Sequence, residues 1–411
     1  MKRIVIGLLI VLLMLALASC GGGPAGGPVS EAPADTAEEE SASESEPAEA
    51  AEGADAGNEA ASDSEASGTE EGPQLAEQLA VYNWSEYIDE DILDAYEEEY
   101  GVEIIYDTFS SNEDLLAKLQ AGATGYDVIF PSDYMVSQMI ELGLLAEIDA
   151  ESLPNFANIG TEFKDAPFDP GNAHCVPYQW GTTGIAYRAG YEFFEENEPT
   201  SWAYLFDPAL LEQYAGDGIN VLNDQRELIA AALFYLGYSP NSTDRAQLEE
   251  ARDVILAAKP FYKTFNSEDY DDALLVADEV VLSQAWSGDA FAAYDATYDE
   301  ETEDGNWYYA IPEEGAVKWL DNICIPAASQ RIDTALHFMN YLMDAENAAA
   351  VTNFTFYASP NEAAKEFIDP DILEDPGVYP SDDVLAKLQW LEEVGDAVFD
   401  YDEMWTAIKG Q

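Results

Sequence analysis

The chain has 411 residues, room for two or three domains at about 150 residues each, and its 83 Asp and Glu against 15 Lys and Arg give a formal charge of −68. That charge argues strongly against a nucleic-acid partner, because phosphate contacts need a basic footprint. The two histidines, His174 and His337, and the three cysteines, Cys20, Cys175 and Cys324, fall in no zinc-type or Cys-x-x-Cys spacing, so no metal and no cofactor is expected.

Met1-Lys2-Arg3 precedes an apolar run over residues 4–18, shorter than the roughly 20 residues that span a bilayer, and residues 1–20 read as a signal peptide. Leu17-Ala18-Ser19-Cys20 resembles the bacterial lipobox, which implies lipid on Cys20 and anchorage outside the cytoplasm; an ordinary small-residue cleavage site is the alternative. Residues 21–75 carry 15 acids and no base, and residues 21–74 hold no Leu, Ile or aromatic residue. Such a segment cannot bury enough apolar surface to offset its ordering entropy, so it reads as a disordered acidic tether. Residues 76–411 still hold 68 acids against 13 bases, a surface suited to a salt-rich habitat where repulsion is screened.

Beyond the tether, residues 80–83 predict a short strand and residues 89–100 a helix with Ile92, Leu93 and Tyr96 at helical spacing, leaving Glu97 and Glu98 on an exposed face. Residues 102–106 predict a buried strand, 112–121 a helix, 126–130 a strand stopped by Pro131, and 134–142 a helix. This β-α-β-α-β-α order calls for a parallel sheet faced by helices, an α/β fold whose ligands gather at the carboxyl ends of strands. Those ends carry Trp84-Ser85-Glu86-Tyr87 and Ser132-Asp133-Tyr134, which would line one crevice. Residues 175–187 predict a long extended segment, 202–223 a polar, turn-rich stretch and 226–236 a helix. A second β/α lobe follows, with helices at 247–258 and 333–343 and strands at 280–286 and 323–326.

Four fragments gather acids and aromatics at loop positions: Trp84-Ser85-Glu86-Tyr87, Asp224-Gln225-Arg226-Glu227, Trp286-Ser287-Gly288-Asp289 and Trp319-Leu320-Asp321. An aliphatic polyammonium ligand needs carboxylates at its charged ends and flat aromatic faces along its methylenes, where cation–π attraction adds roughly 0.5 to 2 kcal/mol per contact. Together with Ser111-Asn112-Glu113, Tyr126-Asp127-Val128-Ile129-Phe130-Pro131-Ser132, Phe168-Asp169-Pro170-Gly171-Asn172, Val176-Pro177-Tyr178, Trp180-Gly181-Thr182, Thr200-Ser201-Trp202 and Tyr357-Ala358-Ser359-Pro360-Asn361, they make the sequence over about residues 82–406 resemble the periplasmic spermidine/putrescine-binding proteins of ABC importers. The resemblance implies a two-lobed periplasmic-binding-protein fold with a hinge of crossing strands. Lobe one would be residues 76–186 plus 320–366, and lobe two residues 187–319 plus 367–411.

It further implies a ligand shell of Trp84, Ser85, Tyr87, Ser132, Tyr134, Asp224, Glu227, Trp286, Trp319, Asp321 and Tyr357, and capture of putrescine or spermidine for an ABC permease. Asp289 resembles the putrescine-type members, which carry an acid there. Where the spermidine type offers a glutamine this chain offers Leu391, or Gln389 if the alignment slips by two. Cys175 and Cys324 fall in two segments that by the same analogy run side by side; a disulfide and two buried free thiols both fit the sequence. Two other functions use the same residues: an amine sensor that presents ligand to a receptor, and a hydrolase with Asp224 and Glu227 as its acid/base pair. No Gly-x-Ser-x-Gly elbow, phosphate loop or His-Glu-x-x-His supports an enzyme. Residues 299–305 only faintly suggest a calcium loop, with Ala310 where a bidentate Glu is required.

Overall fold

Chain segments that alternate between strand and helix fold here as that alternation demands. The computed structural model describes residues 74–122 and 125–410; the signal peptide, Cys20 and nearly all of the acidic tether lie outside the described residues. Strand β1 (Gln78–Trp84) leads to helix α1 (Glu90–Tyr100), whose first turn is capped by the Asp89 carboxylate on the Asp91 amide at 3.0 Å and whose end is closed by Gly101 at φ 69°. β2 (Glu103–Phe109), α2 (Asn112–Gln120), β3 (Val128–Ile129) and α3 (Asp133–Glu141) complete the unit. Both β2 and β3 pair with β1 in parallel, as expected of such crossovers.

The chain then crosses the molecule on β4 (Cys175–Arg188), fourteen residues buried along nearly their whole length. β5 (Ile219–Val221), α4 (Gln225–Tyr235), α5 (Arg245–Ala258), β6 (Thr264–Phe265), β7 (Leu282–Trp286), α6 (Ser287–Ala296) and β8 (Trp307–Ala310) follow. β9 (Lys318–Cys324) returns to the first unit, and α7 (Ile332–Leu342), α8 (Ala345–Thr355) and α9 (Val398–Gly410) complete the chain. One nine-stranded sheet results, in the order β2-β1-β3-β9-β4-β7-β5-β6, with β8 also on β4. β4 pairs with β9 up to Thr182 and with β7 from Thr183 onward, so a single strand is shared by the two halves of the sheet.

Cys175 and Cys324 are register partners on β4 and β9, both fully buried, and their sulfurs form a disulfide. This settles the choice between bridge and free thiols. Three expectations are corrected. Residues 202–223, expected to be polar and turn-rich, place Trp202, Leu205, Phe206, Leu211 and Tyr214 in the core on or beside helices of one turn, too short to show a period. Two fragments expected at loop positions are not in loops: Trp319-Leu320-Asp321 lies inside β9, because a strand buried on both faces need not alternate, and Trp286-Ser287-Gly288-Asp289 passes from the last residue of β7 directly into α6. Glu97, expected to be exposed, is half-buried and accepts the Ile104 amide at 2.6 Å; Glu98 is exposed.

Candidate functional site

The carboxyl ends of β1 and β3 face the middle of β9. Trp84, the last residue of β1, donates its indole N–H to Phe130 O at 2.9 Å and leans on Phe109, ring centres 4.6 Å apart. The chain then turns through half-buried Ser85 and through Glu86 at φ 51° to the buried Tyr87. The Tyr87 hydroxyl donates to Asp321 Oδ2 at 2.7 Å. Ser132 stands at the N-cap position of α3 without a side-chain capping bond; its amide donates to Asn112 Oδ1 and its Oγ accepts from Asn112 Nδ2, at 3.1 and 3.0 Å. Ser132 also pairs with Asp321 in an antiparallel bridge, so the start of α3 lies against the candidate ligand residue of β9. Tyr134 donates to Glu113 Oε1 at 3.2 Å.

The opposite wall is the start of α4. Asp224 is its N-cap, accepting the Glu227 amide at 3.0 Å. Arg226 lies between the rings of Tyr134 and Tyr401, at 5.0 and 4.9 Å, with Nη2 on the Glu392 carbonyl and on Asn241. Trp286 and Asp289 follow β7 into α6. The Trp286 amide donates to the Tyr270 hydroxyl at 3.0 Å, and Tyr357 donates to Asp289 Oδ1 at 2.7 Å. Trp84 and Trp286 meet edge to face with centres 6.0 Å apart, and Tyr357 lies edge-on to both Trp319 and Tyr87, at 5.1 and 5.4 Å. Two glycines make this packing possible: a Cβ on Gly181 would sit 2.5 Å from the Trp319 ring, and one on Gly288 2.6 Å from Tyr357 and from the Thr355 carbonyl.

The resulting cleft is acidic at both ends of an aromatic row. At one end stand Glu113, Asp133, Asp224, Glu227 and Asp321; at the other, Asp289 with Glu86 and Asp271. Burial pushes all of them up: Asp321 to about 7, Glu113 to about 7 with help from the Asp224 charge, and Asp289 to about 6 against the hydroxyls of Tyr357 and Tyr270. Glu227 and Asp133 are pushed well up by burial, Glu227 further by Asp224, and Asp133 by Asp321. Glu86 and Asp271 are each raised to about 7, again first by burial. Arg226 acts against this only in part. Glu227 Oε2, Asp321 Oδ1 and Asp133 Oδ2 are buried without a hydrogen-bond partner, a costly state for carboxylates. Among the described residues no acid or histidine cluster is arranged to hold a metal ion.

The structure thus brings eleven of the twelve expected residues, all but Ser85, into a connected set of rings, hydroxyls and carboxylates, and Ser85 lies in the same turn after β1. Leu391 is buried, while Gln389 is exposed and spends its backbone on Ala316 and Lys318. Sequence reasoning missed Glu113, Asp133, Arg226, Glu86 and Asp271. Four of these stand inside fragments already singled out, where nothing in the sequence sets them apart from solvated charges.

Comparison with known proteins agrees with this architecture. The profile of bacterial extracellular solute-binding proteins matches residues 91–380. A putrescine/cadaverine-binding protein of Pseudomonas aeruginosa is 36% identical over 339 residues, 81% of this chain and 94% of that protein. The putrescine-binding periplasmic protein of Escherichia coli is 35% identical over 349 residues, 82% and 93%. The solved structure of a spermidine/putrescine ABC transporter substrate-binding protein from Streptococcus pneumoniae has a TM-score of 0.65 at 31% identity, over 82% of this chain and 99% of that one. Its fold is therefore that of periplasmic binding proteins, and the chain belongs to the bacterial extracellular solute-binding protein family.

Proposed function

We propose that this chain captures a linear polyamine, putrescine or spermidine, outside the cytoplasm and delivers it to an ABC permease. The observation that carries the reading is the pair of acidic poles, buried Asp224, Glu227 and Asp321 at one end and half-buried Asp289 at the other, joined by Trp84, Trp286, Trp319, Tyr87 and Tyr357. A neutral sugar leaves those charges uncompensated; an amino acid adds a carboxylate to them. A diammonium alkane supplies a cation to each pole and methylenes to the rings between. The relatives' names support the same ligand class and the same kind of transporter.

In this reading the lobes are residues 76–186 plus 320–366 and 187–319 plus 367–411, and β4 and β9 form the connection between them. Cys20 carries the lipid. In this reading the protein binds its ligand and turns nothing over, and Asp224 both caps α4 and adds its charge to the pole. Calorimetry of residues 76–411 with putrescine, spermidine, an amino acid and a sugar at matched salt tests the proposal. Binding of the amines alone is the expected outcome; binding of the sugar or amino acid with neither amine at millimolar concentration overturns it.

A further inference from the structure

Asp133 is the first residue of α3, between Ser132 and Tyr134. An acid in the first helical turn ordinarily points its charge into water and gains from the helix dipole. This one does not: it is 1% exposed. Its Oδ1 accepts the Tyr134 amide at 2.7 Å, the Leu320 backbone of β9 also favours its charged form, and no hydrogen bond of ordinary geometry reaches Oδ2. The backbone around it is held against β9, with Ser132 bridged to Asp321 and the Asn322 amide donating to Pro131 O at 3.0 Å. The charges that act on Asp133 are Asp321 of β9, Arg226 of α4 and, in turn, Glu227, whose proton affinity Asp133 raises. Asp133 therefore lies in the same charge field as the two candidate ligand acids, and each of the three has one buried oxygen without a donor.

We infer that Asp133 is a further ligand-binding carboxylate of this site, which meets an ammonium group of the captured polyamine alongside Asp321 and Glu227. A primary ammonium brings three N–H donors and no acceptor, the complement of a pocket wall made of orphaned carboxylate oxygens. Arg226 leaves those oxygens unpaired: its Nη2 bonds Asn241 and the Glu392 carbonyl, and its buried Nε has no hydrogen-bond partner of its own. The inference rests on the polyamine reading above and adds a residue to it.

The test uses the full-length protein, titrated with putrescine in two buffers of different ionisation enthalpy, as wild type and as Asp133→Asn. The asparagine keeps an acceptor for the Tyr134 amide, so a purely structural role survives the exchange. The variant is expected to bind putrescine at least tenfold more weakly, to release fewer protons on binding than the wild type, and to melt no lower without ligand. Unchanged affinity and proton release in a folded variant overturns the inference. If the variant does not fold, the carboxyl carbon shift of Asp133 in the wild type decides. Movement toward the ionised form on adding putrescine supports the role, and no movement removes it. If the wild type binds no polyamine while another solute binds, the polyamine reading fails first, and that outcome is recognised in the wild-type titration alone.

Discussion

A carboxylate that loses its water on folding must find a counter-charge or take a proton. Asp321 and Glu227 are the clearest cases here, each buried with one unpartnered oxygen. Asp321→Asn and Glu227→Gln should each weaken polyamine binding by at least about 2 kcal/mol, since removing one partner of a desolvated pair leaves the ammonium uncompensated. Glu98→Gln, on the exposed face of α1, should leave affinity unchanged within about 0.5 kcal/mol. Equal losses in both sets, measured by calorimetry, would assign the affinity to bulk charge. A subtler test is Gly288→Ala. Its methyl group would meet the Tyr357 ring and the Thr355 carbonyl at 2.6 Å, so the ring that orients Asp289 must move. A destabilisation of about 1 to 3 kcal/mol with weaker ligand binding is expected.

Elements set what such residues can titrate. α2, α3, α4 and β9 converge their acids on one pole, so the ligand-free fold holds protons that the unfolded chain releases between about pH 4 and 7. The folded state then binds more protons than the unfolded one across that window, and stability falls as pH rises through it. Without ligand the protein should melt higher at pH 5 than at pH 8, and putrescine should raise the melting temperature more at pH 8. Asp321→Asn should flatten the ligand-free trend; a dependence unchanged by that substitution would place its origin on the outer surface. The elements themselves were unequally legible. α1, α2 and α3 announced themselves through apolar residues at helical spacing, and β1 through a short apolar run. β9 did not, because Asp321 and Asn322 interrupt it and both faces are covered. β5, β6 and β8 are two to four residues long, below the length at which alternation can be read. The site was more legible than the sheet around it, since its aromatic and hydroxyl residues stand in recognisable fragments. Asp133 and Glu113 escaped because nothing in a single sequence tells a buried acid from a solvated one.

At the scale of the whole molecule, 68 acids against 13 bases over residues 76–411 make self-repulsion a permanent term. Raising salt from about 0.1 to 1 M shortens the screening length from about 10 to 3 Å and should raise the melting temperature in the absence of ligand. In the same buffers a competition titration is expected to show putrescine binding at least as tightly as spermidine. Asp289 can take the far ammonium of a short ligand, while buried Leu391 offers a longer arm no hydrogen bond. A tenfold preference for spermidine would overturn this. The disulfide between Cys175 and Cys324 spans 149 residues of sequence, so its reduction should cost on the order of 4 to 5 kcal/mol if its effect is to restrict the unfolded chain. It also changes the connectivity of the protein. The chain from β4 through β8 to β9 is a covalent ring hanging from the rest, and one cut by a protease anywhere within it cannot release a fragment. A singly nicked protein should therefore migrate as one band until reductant is added and then separate into two, and residues 187–319 can be severed once without being lost.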